Sequence, residues 1–378
     1  MFAQRIERLT SSLVRDILAA ASRPGMISFA GGLPASEALF QPGASDFAAL
    51  NCAQYGQTEG EPQLRELIAQ RARALGIACT AGQVLILNGS QQGIDLVSKL
   101  FVEEGTPLVV EAPAYLAALQ SFKLFGAPLR PVTVDAQQGP VWTELADALP
   151  GARLCYLTPT FQNPSGYCYT DAERTTTAEL LDAADVPLFE DDPYRALSYD
   201  GPAPAPIVGR LHKARWVYQS SFSKTLAPGL RLGYLIAHPD LITPLTRLKQ
   251  AADLHSNRFS QHLVANLLAS NRIDPHVAAA LPLYQKRRAA MDAALRTHLA
   301  DKATWQLPQG GLFFWLKLNQ PTDTYALMQQ ALEAGVAVMP GDAFYQGVAP
   351  GSYLRLNFSH ANETDIATGV ARLAALLG

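Results

Sequence analysis

Short apolar runs of strand length, separated by segments of helical periodicity, constrain this chain more than any other feature. Val84 to Leu87 reads as a strand, and Ser90 to Glu103 as the helix after it, with Ile94, Val97, Leu100 and Phe101 on one face. Leu108 to Val110, Leu154 to Thr158, Val186 to Phe189, Trp216 to Gln219 and Leu232 to Ile236 are further runs of the same kind. Strands that are apolar throughout are buried on both faces, and helices between them supply the cover. The pattern predicts an α/β domain with a mainly parallel sheet over residues 45–275. The C-terminal third has another rhythm. A helical pattern over Leu283 to Leu299 precedes GGLFFWLKL, and another near Thr324 to Glu333 precedes VAVMP and YLRLNF. Asn362 with Asp365 then opens a last amphipathic helix in the manner of a capping box. Residues 276–378 therefore predict a smaller α+β domain, with the N-terminal segment 1–44 packed on it.

Bulk properties narrow the function. At 378 residues the chain is long enough for more than one domain, and 48% hydrophobic with 17% charged residues is ordinary for a folded protein. A net charge of -3 without blocks of like charge gives no footing for nucleic acid. No apolar run approaches the roughly 18 residues of a membrane helix, and the amphipathic start is unlike a signal peptide. Cys52, Cys79, Cys155 and Cys168 lack paired spacing, so free thiols in a reducing cytoplasm are expected and a metal site is not.

Four segments carry polar chemistry at the ends of apolar runs. NGSQQG, Asn88 to Gly93, lies between a strand and a helix, where free N–H groups and the helix dipole favour an anion. FEDDPY, Phe189 to Tyr194, puts three acids in a row after a buried strand, the end at which open α/β sheets bind ligands. PTFQNPSG, Pro159 to Gly166, offers Asn163 as a turn residue or as a donor to a ligand. SSFSKTLAPGLRLGY places Lys224 near Ser221, Ser223 and Arg231 and ahead of a buried strand. Each alone also fits an ordinary turn. Together, a phosphate cradle, a carboxylate at a strand end and a desolvated lysine are the parts of a pyridoxal-phosphate site.

The chain resembles fold-type-I pyridoxal-phosphate aminotransferases, most closely the 2-aminoadipate/kynurenine group. The likeness runs through ISFAGGLPASEALF, QYGQTEGEPQLR, GSQQGIDL, EAPAY, FQNPSG, EDDPYR, SFSKTLAPGLRLGY and YLRLNFS. It implies a mainly parallel seven-stranded sheet in a large domain beside a small α+β domain. Lys224 would hold the cofactor's aldehyde carbon. Asp191 would pair with the pyridine nitrogen, with Asp192 structural. Tyr194 and Asn163 would donate to the ring's phenolic oxygen, and Tyr115 would stack on the ring. Ser90, Gln91, Ser221 and Arg231 would bind the phosphate, joined by Tyr55 from the neighbouring subunit of a homodimer with shared sites. Arg355 would clamp the substrate α-carboxylate, which a guanidinium does with two parallel bonds. Asn163 and the backbone at Gly31 and Gly32 would also approach the substrate. Arg15 sits where some relatives with acidic substrates carry a mobile arginine that pairs with a distal carboxylate.

The expected reaction is transamination between an L-amino acid, with glutamate as donor, and a 2-oxo acid, in a cytoplasmic enzyme without nucleic-acid or membrane partners. A C–S lyase or decarboxylase on the same fold is the enzymatic alternative, and a clamped carboxylate argues against decarboxylation. A regulator carrying an aminotransferase-like domain is the non-enzymatic one. Only about 25 residues precede MISFAGGLP, too few for a DNA-binding module.

Overall fold

The computed structural model describes residues 2–8, 17, 23–47 and 52–377. Its main sheet is built from β1 (Val84–Leu87), β2 (Leu108–Ala112), β3 (Leu129–Asp135), β4 (Gly139–Pro140), β5 (Leu154–Leu157), β6 (Leu188–Asp191), β7 (Trp216–Ser221) and β8 (Gly233–Ala237). The spatial order is β1-β8-β7-β6-β5-β2-β3-β4. Neighbours from β7 to β3 are parallel, β8 runs antiparallel to both β1 and β7, and β4 runs antiparallel to β3. The resemblance implies seven strands; the eighth is a two-residue edge piece. Its proline is tolerated at the sheet margin, and it is too short to leave a periodic signal.

Successive side chains of these strands enter two different cores. Val84 and Ile86 join one cluster and Leu85 and Leu87 the other; Cys155 and Leu157 separate from Leu154 and Tyr156 in the same way. Both faces are covered, which is why the strands read as unbroken apolar runs. Because β1, β2, β5, β6 and β7 point the same way, the segments after Leu87, Ala112, Leu157, Asp191 and Ser221 emerge at one edge of the sheet. Residues 222–232 turn back into β8, whose first residue, Gly233, pairs with Ser221. A Cβ at Gly233 would lie 2.9 Å from Ser90 N, so only glycine lets this hairpin close against the turn after β1.

A second sheet contains β9 (Ala303–Thr304), β10 (Phe313–Leu318), β11 (Met339–Pro340) and β12 (Tyr353–Asn357), all antiparallel in the order β9-β10-β12-β11. Its core includes Leu312, Phe314, Leu354 and Leu356, covered by the Glu363–Leu376 helix through Ile366, Val370 and Leu373. Asn362 caps that helix by accepting from Asp365 N at 2.8 Å. Near the N-terminus, Ile27–Ser28 pairs in parallel with Val336–Ala337. The helix expected from Leu283 starts earlier, at Ile273, and runs through Pro282 to Leu299. An internal proline costs a backbone bond and reads from sequence as a break.

One buried ion pair ties the main sheet to its cover. Arg174, on the Asp171–Ala184 helix, and Glu190, on β6, are fully buried with their charged groups 3.6 Å apart. Arg174 also donates to Tyr169 O and Pro159 O, and Glu190 accepts from Val208 N. Removing one member of such a pair leaves an uncompensated buried charge. Glu190→Ala is expected to lower folding stability by about 3–5 kcal/mol, read as an earlier urea midpoint.

Candidate active site

The segments that leave the strand ends line a cavity of about 320 Å³, within the range of small-molecule sites. Ser90, Gln91, Tyr115, Asn163, Asp191, Tyr194, Ser221, Lys224, Arg231, Gly32 and Arg355 all line it. The structure thus gathers eleven of the residues singled out in the sequence. Gly31 is buried beside Gly32 without lining the cavity. Tyr55 is 76% exposed and outside it, packed edge-on against His255. Arg15 lies outside the described residues.

One end of the cavity is made for an anion. Gly89, at φ +80, turns the chain into the Ser90–Phe101 helix, whose first N–H groups have no partner within the helix. A Cβ on Gly89 would meet the Arg231 guanidinium at 2.4 Å, so glycine is what admits that side chain. Arg231 itself has φ +46, a left-handed conformation uncommon outside glycine, and donates to Asn88 O at 3.4 Å. Ser221 joins from the end of β7.

Three consecutive acids at the end of β6 have three different fates. Glu190 faces Arg174, as described. Asp192 is engaged by Arg195, in a short ion pair, and by Tyr218 Oη at 3.0 Å. Asp191 alone meets the cavity. Tyr156 Oη donates to its Oδ2 at 2.9 Å and Gln219 Nε2 to its Oδ1 at 3.1 Å. Burial pushes the Asp191 carboxyl up to about 6; the Gln219 and Tyr156 donors oppose this, and Asp192 adds to the rise. A cationic ring nitrogen is the partner that would hold it ionised.

Lys224 projects from the hairpin after β7 and donates to Gly32 O at 2.8 Å. Burial, then the charges of Arg355 and Arg231, pull its amine down to about 8. Such an amine is neutral often enough near pH 7 to act as nucleophile and base.

Arg355, central in β12, is 4% exposed. It donates to Asn163 Oδ1 at 2.7 Å and to Ala30 O at 2.5 Å, and its guanidinium lies 4.2 Å from the Phe313 ring centre and 5.0 Å from that of Phe344. Among the described residues no carboxylate pairs with it, and its Nε has no hydrogen-bond partner. Burial lowers it to about 10, with Tyr194 and Tyr115 opposing. A buried, unneutralised guanidinium opening onto a cavity is a receptor for a carboxylate. Tyr194 is buried against Phe313, and burial raises its phenol.

These groups fit pyridoxal phosphate on their own geometry. An anion cradle, a buried carboxylate, a lysine of lowered basicity and an aromatic face share one cavity of suitable size. Sequence reading missed Tyr156, Gln219 and Thr158, the last a buried cavity residue whose hydroxyl lacks a partner among the described residues. Their signal was faint: single polar groups within or just after apolar runs.

Comparison with known proteins agrees with this geometry. Residues 3–373 match the family described as aminotransferase class I and II. The chain is 35% identical to the 2-aminoadipate transaminase of Thermus thermophilus, over 100% of this chain and 96% of that protein. It is 34% identical to aromatic-amino-acid aminotransferase 1 of Thermococcus litoralis, over 99% and 93%. The crystal structure of LysN, the α-aminoadipate aminotransferase of Thermus thermophilus in complex with N-(5'-phosphopyridoxyl)-L-leucine, superposes with a TM-score of 0.89 at 32% identity. That match covers 100% of this chain and 97% of the other.

The lowered Lys224 amine has a measurable consequence. In cofactor-free protein the folded state sheds this proton before the unfolded state does. Stability is therefore diminished below about pH 8 and recovers as pH rises toward 10.5. Acylation of Lys224, followed by peptide mass mapping, should show a half-point near pH 8; a half-point at 10.5 would contradict the assignment.

Proposed function

Since the chain belongs to the aminotransferase class I and II family, as a pyridoxal-phosphate-dependent aminotransferase of fold type I, we propose that it moves an amino group between glutamate and a 2-oxo acid, with a 2-aminoadipate-type or broad acceptor range. The observation that carries the substrate class is Arg355, buried with no counter-charge among the described residues in the same cavity as Lys224.

When bound, pyridoxal phosphate supplies a carbonyl carbon for an amine and a ring that accepts the electron pair left by the departing α-proton. Ser90, Gln91, Ser221 and Arg231 would hold its phosphate, and Tyr115 would cover the ring. Asp191 would keep a proton on the ring nitrogen, and Tyr194 and Asn163 would donate to the phenolic oxygen. With the cofactor bound, Lys224 Nζ would be the base that takes the α-proton and the acid that returns it to the cofactor's former carbonyl carbon. Arg355 fixes the α-carboxylate, so that the C–H bond and not the C–COO⁻ bond is presented for cleavage. Two half-reactions in one cavity give ping-pong kinetics. We read residues 45–275 as the cofactor-binding domain and 1–44 with 276–378 as the smaller one; the two sheets are drawn from these ranges.

A count of charges shows what an acidic preference would require. Among the described residues the cavity is lined by three cations, Lys224, Arg231 and Arg355. With the amine committed to chemistry, Arg231 to phosphate and Arg355 to the α-carboxylate, a distal carboxylate needs a further cation. Arg15 is our candidate. The relatives' names, 2-aminoadipate transaminase among them, support the same preference. The exposed Tyr55 supports a homodimer in which it reaches the neighbouring subunit's phosphate.

Glutamate alone should yield 2-oxoglutarate in amounts stoichiometric with enzyme. Arg355→Ala is expected to cut kcat/KM for amino acids about 100-fold, the worth of a charge-assisted bidentate contact, and Arg355→Lys to restore little of it. Arg15→Ala should slow acidic donors and spare aliphatic ones; unchanged acidic rates would remove this specificity argument. Sedimentation should give twice the chain mass, with Tyr55→Phe weakening cofactor affinity; a monomer of full activity would refute the shared site.

A further inference from the structure

Behind the anion end of the cavity lies a group of polar side chains that the proposed reaction does not use. Asp253 ends the Pro239–Asp253 helix. Its Oδ2 accepts from Asn88 Nδ2 at 2.5 Å and from Gln92 Nε2 at 2.6 Å. Lys249, one turn earlier and fully buried, donates to both of its carboxylate oxygens at 2.9 and 3.0 Å. The same ammonium donates to Gln92 Oε1 at 3.1 Å, and that oxygen also accepts from Asn88 N at 2.9 Å. All four side chains are therefore joined, and Asp253 takes bonds from both ends of the turn 88–92.

The arrangement has a direction. Asn88 and Gln92 do not line the cavity, whereas Ser90 and Gln91, between them, do. Pinning the outer two fixes the aim of the inner two. The chain after Asp253 is bent sharply to reinforce this. Leu254 adopts φ 64, ψ −60, and His255 N donates back to Asp253 O at 2.8 Å, a tight three-residue turn that is strained for leucine. It returns Ser256 to bond Ile86 O at 3.1 Å and Asn257 N to Asn88 Oδ1 at 3.4 Å. The turn after β1 is thus held from below by one continuous segment, 249–257.

A buried lysine would be costly without its carboxylate, and a carboxylate bonded by two loop amides cannot move without releasing them. We propose that Asp253, held in place by Lys249, is a positioning residue for the phosphate cradle: it preorganises Ser90, Gln91 and the first N–H groups of the helix for the cofactor's phosphate, touching neither cofactor nor substrate. This rests on the reading of Ser90 and Gln91 as phosphate ligands.

The test compares affinities of the cofactor-free full chain for pyridoxal phosphate and for pyridoxal, which has the same ring and aldehyde without the phosphate. Ser90→Ala is the control for the underlying reading: it should lower the preference for the phosphorylated form, and an unchanged preference would remove the phosphate assignment itself. With that control met, Asp253→Asn should weaken pyridoxal phosphate about tenfold or more while changing pyridoxal little. Because Asp253→Asn leaves Lys249 without its counter-charge, it can fail to fold. The double variant Asn88→Ala/Gln92→Ala keeps the Lys249–Asp253 pair and removes the two side chains that tie the turn to it, and it decides the question alone. The same selective loss supports the proposal; an unchanged preference, or a parallel loss of both ligands, overturns it.

Discussion

A buried guanidinium with no counter-ion among the described residues is the constraint around which this molecule is arranged. Arg355 sits in the middle strand pairings of the second sheet, between two phenyl rings, and opens onto a cavity whose other walls belong to the first sheet. Its charge is tolerable there because Asn163 and Ala30 each accept a bond from it and because the aromatic faces are electron-rich. The same charge helps depress the basicity of Lys224. Three cations and one buried carboxylate line a cavity that suits an anionic guest carrying a cationic ring nitrogen. The chemistry is thereby written into the resting electrostatics of the protein.

Much of this was legible in the sequence because the reactive groups sit where the chain changes direction. Ser90, Asp191 and Lys224 fall at or just after a strand and Arg231 just before one, where polar residues stand out from an apolar run and where open sheets gather ligands. Tyr156 and Gln219 were not legible. Each lies within a different strand read as apolar, and their meaning depends on which strands become neighbours: Asp191 is 35 residues from one and 28 from the other. Asp253 is further still, 165 residues from Asn88, on a helix that carries no sign of its role. Local pattern reports periodicity and breaks; it does not report pairing across the sheet.

The mismatches in the fold have the same origin. Gly139–Pro140 is too brief to show alternation and exists only because β3 offers it an edge. The helix beginning at Ile273 survives Pro282 because tertiary contacts along its length, through Val277 and Tyr284 among others, outweigh one missing backbone bond. In both cases packing decided what local propensity left ambiguous.

The reversal of β8 has a consequence of its own. Because β8 folds straight back along β7, Lys224 and Arg231 belong to one short hairpin, and Gly233 presses that hairpin onto the turn carrying Ser90. Within this chain the proposed grip on the phosphate is thus one fitting, built on one sheet, whereas Arg355, the proposed clamp for the incoming acid, comes from another. Descendants of such a chain can remodel what they accept by altering the second sheet and its flanks, while inheriting the fitting unchanged.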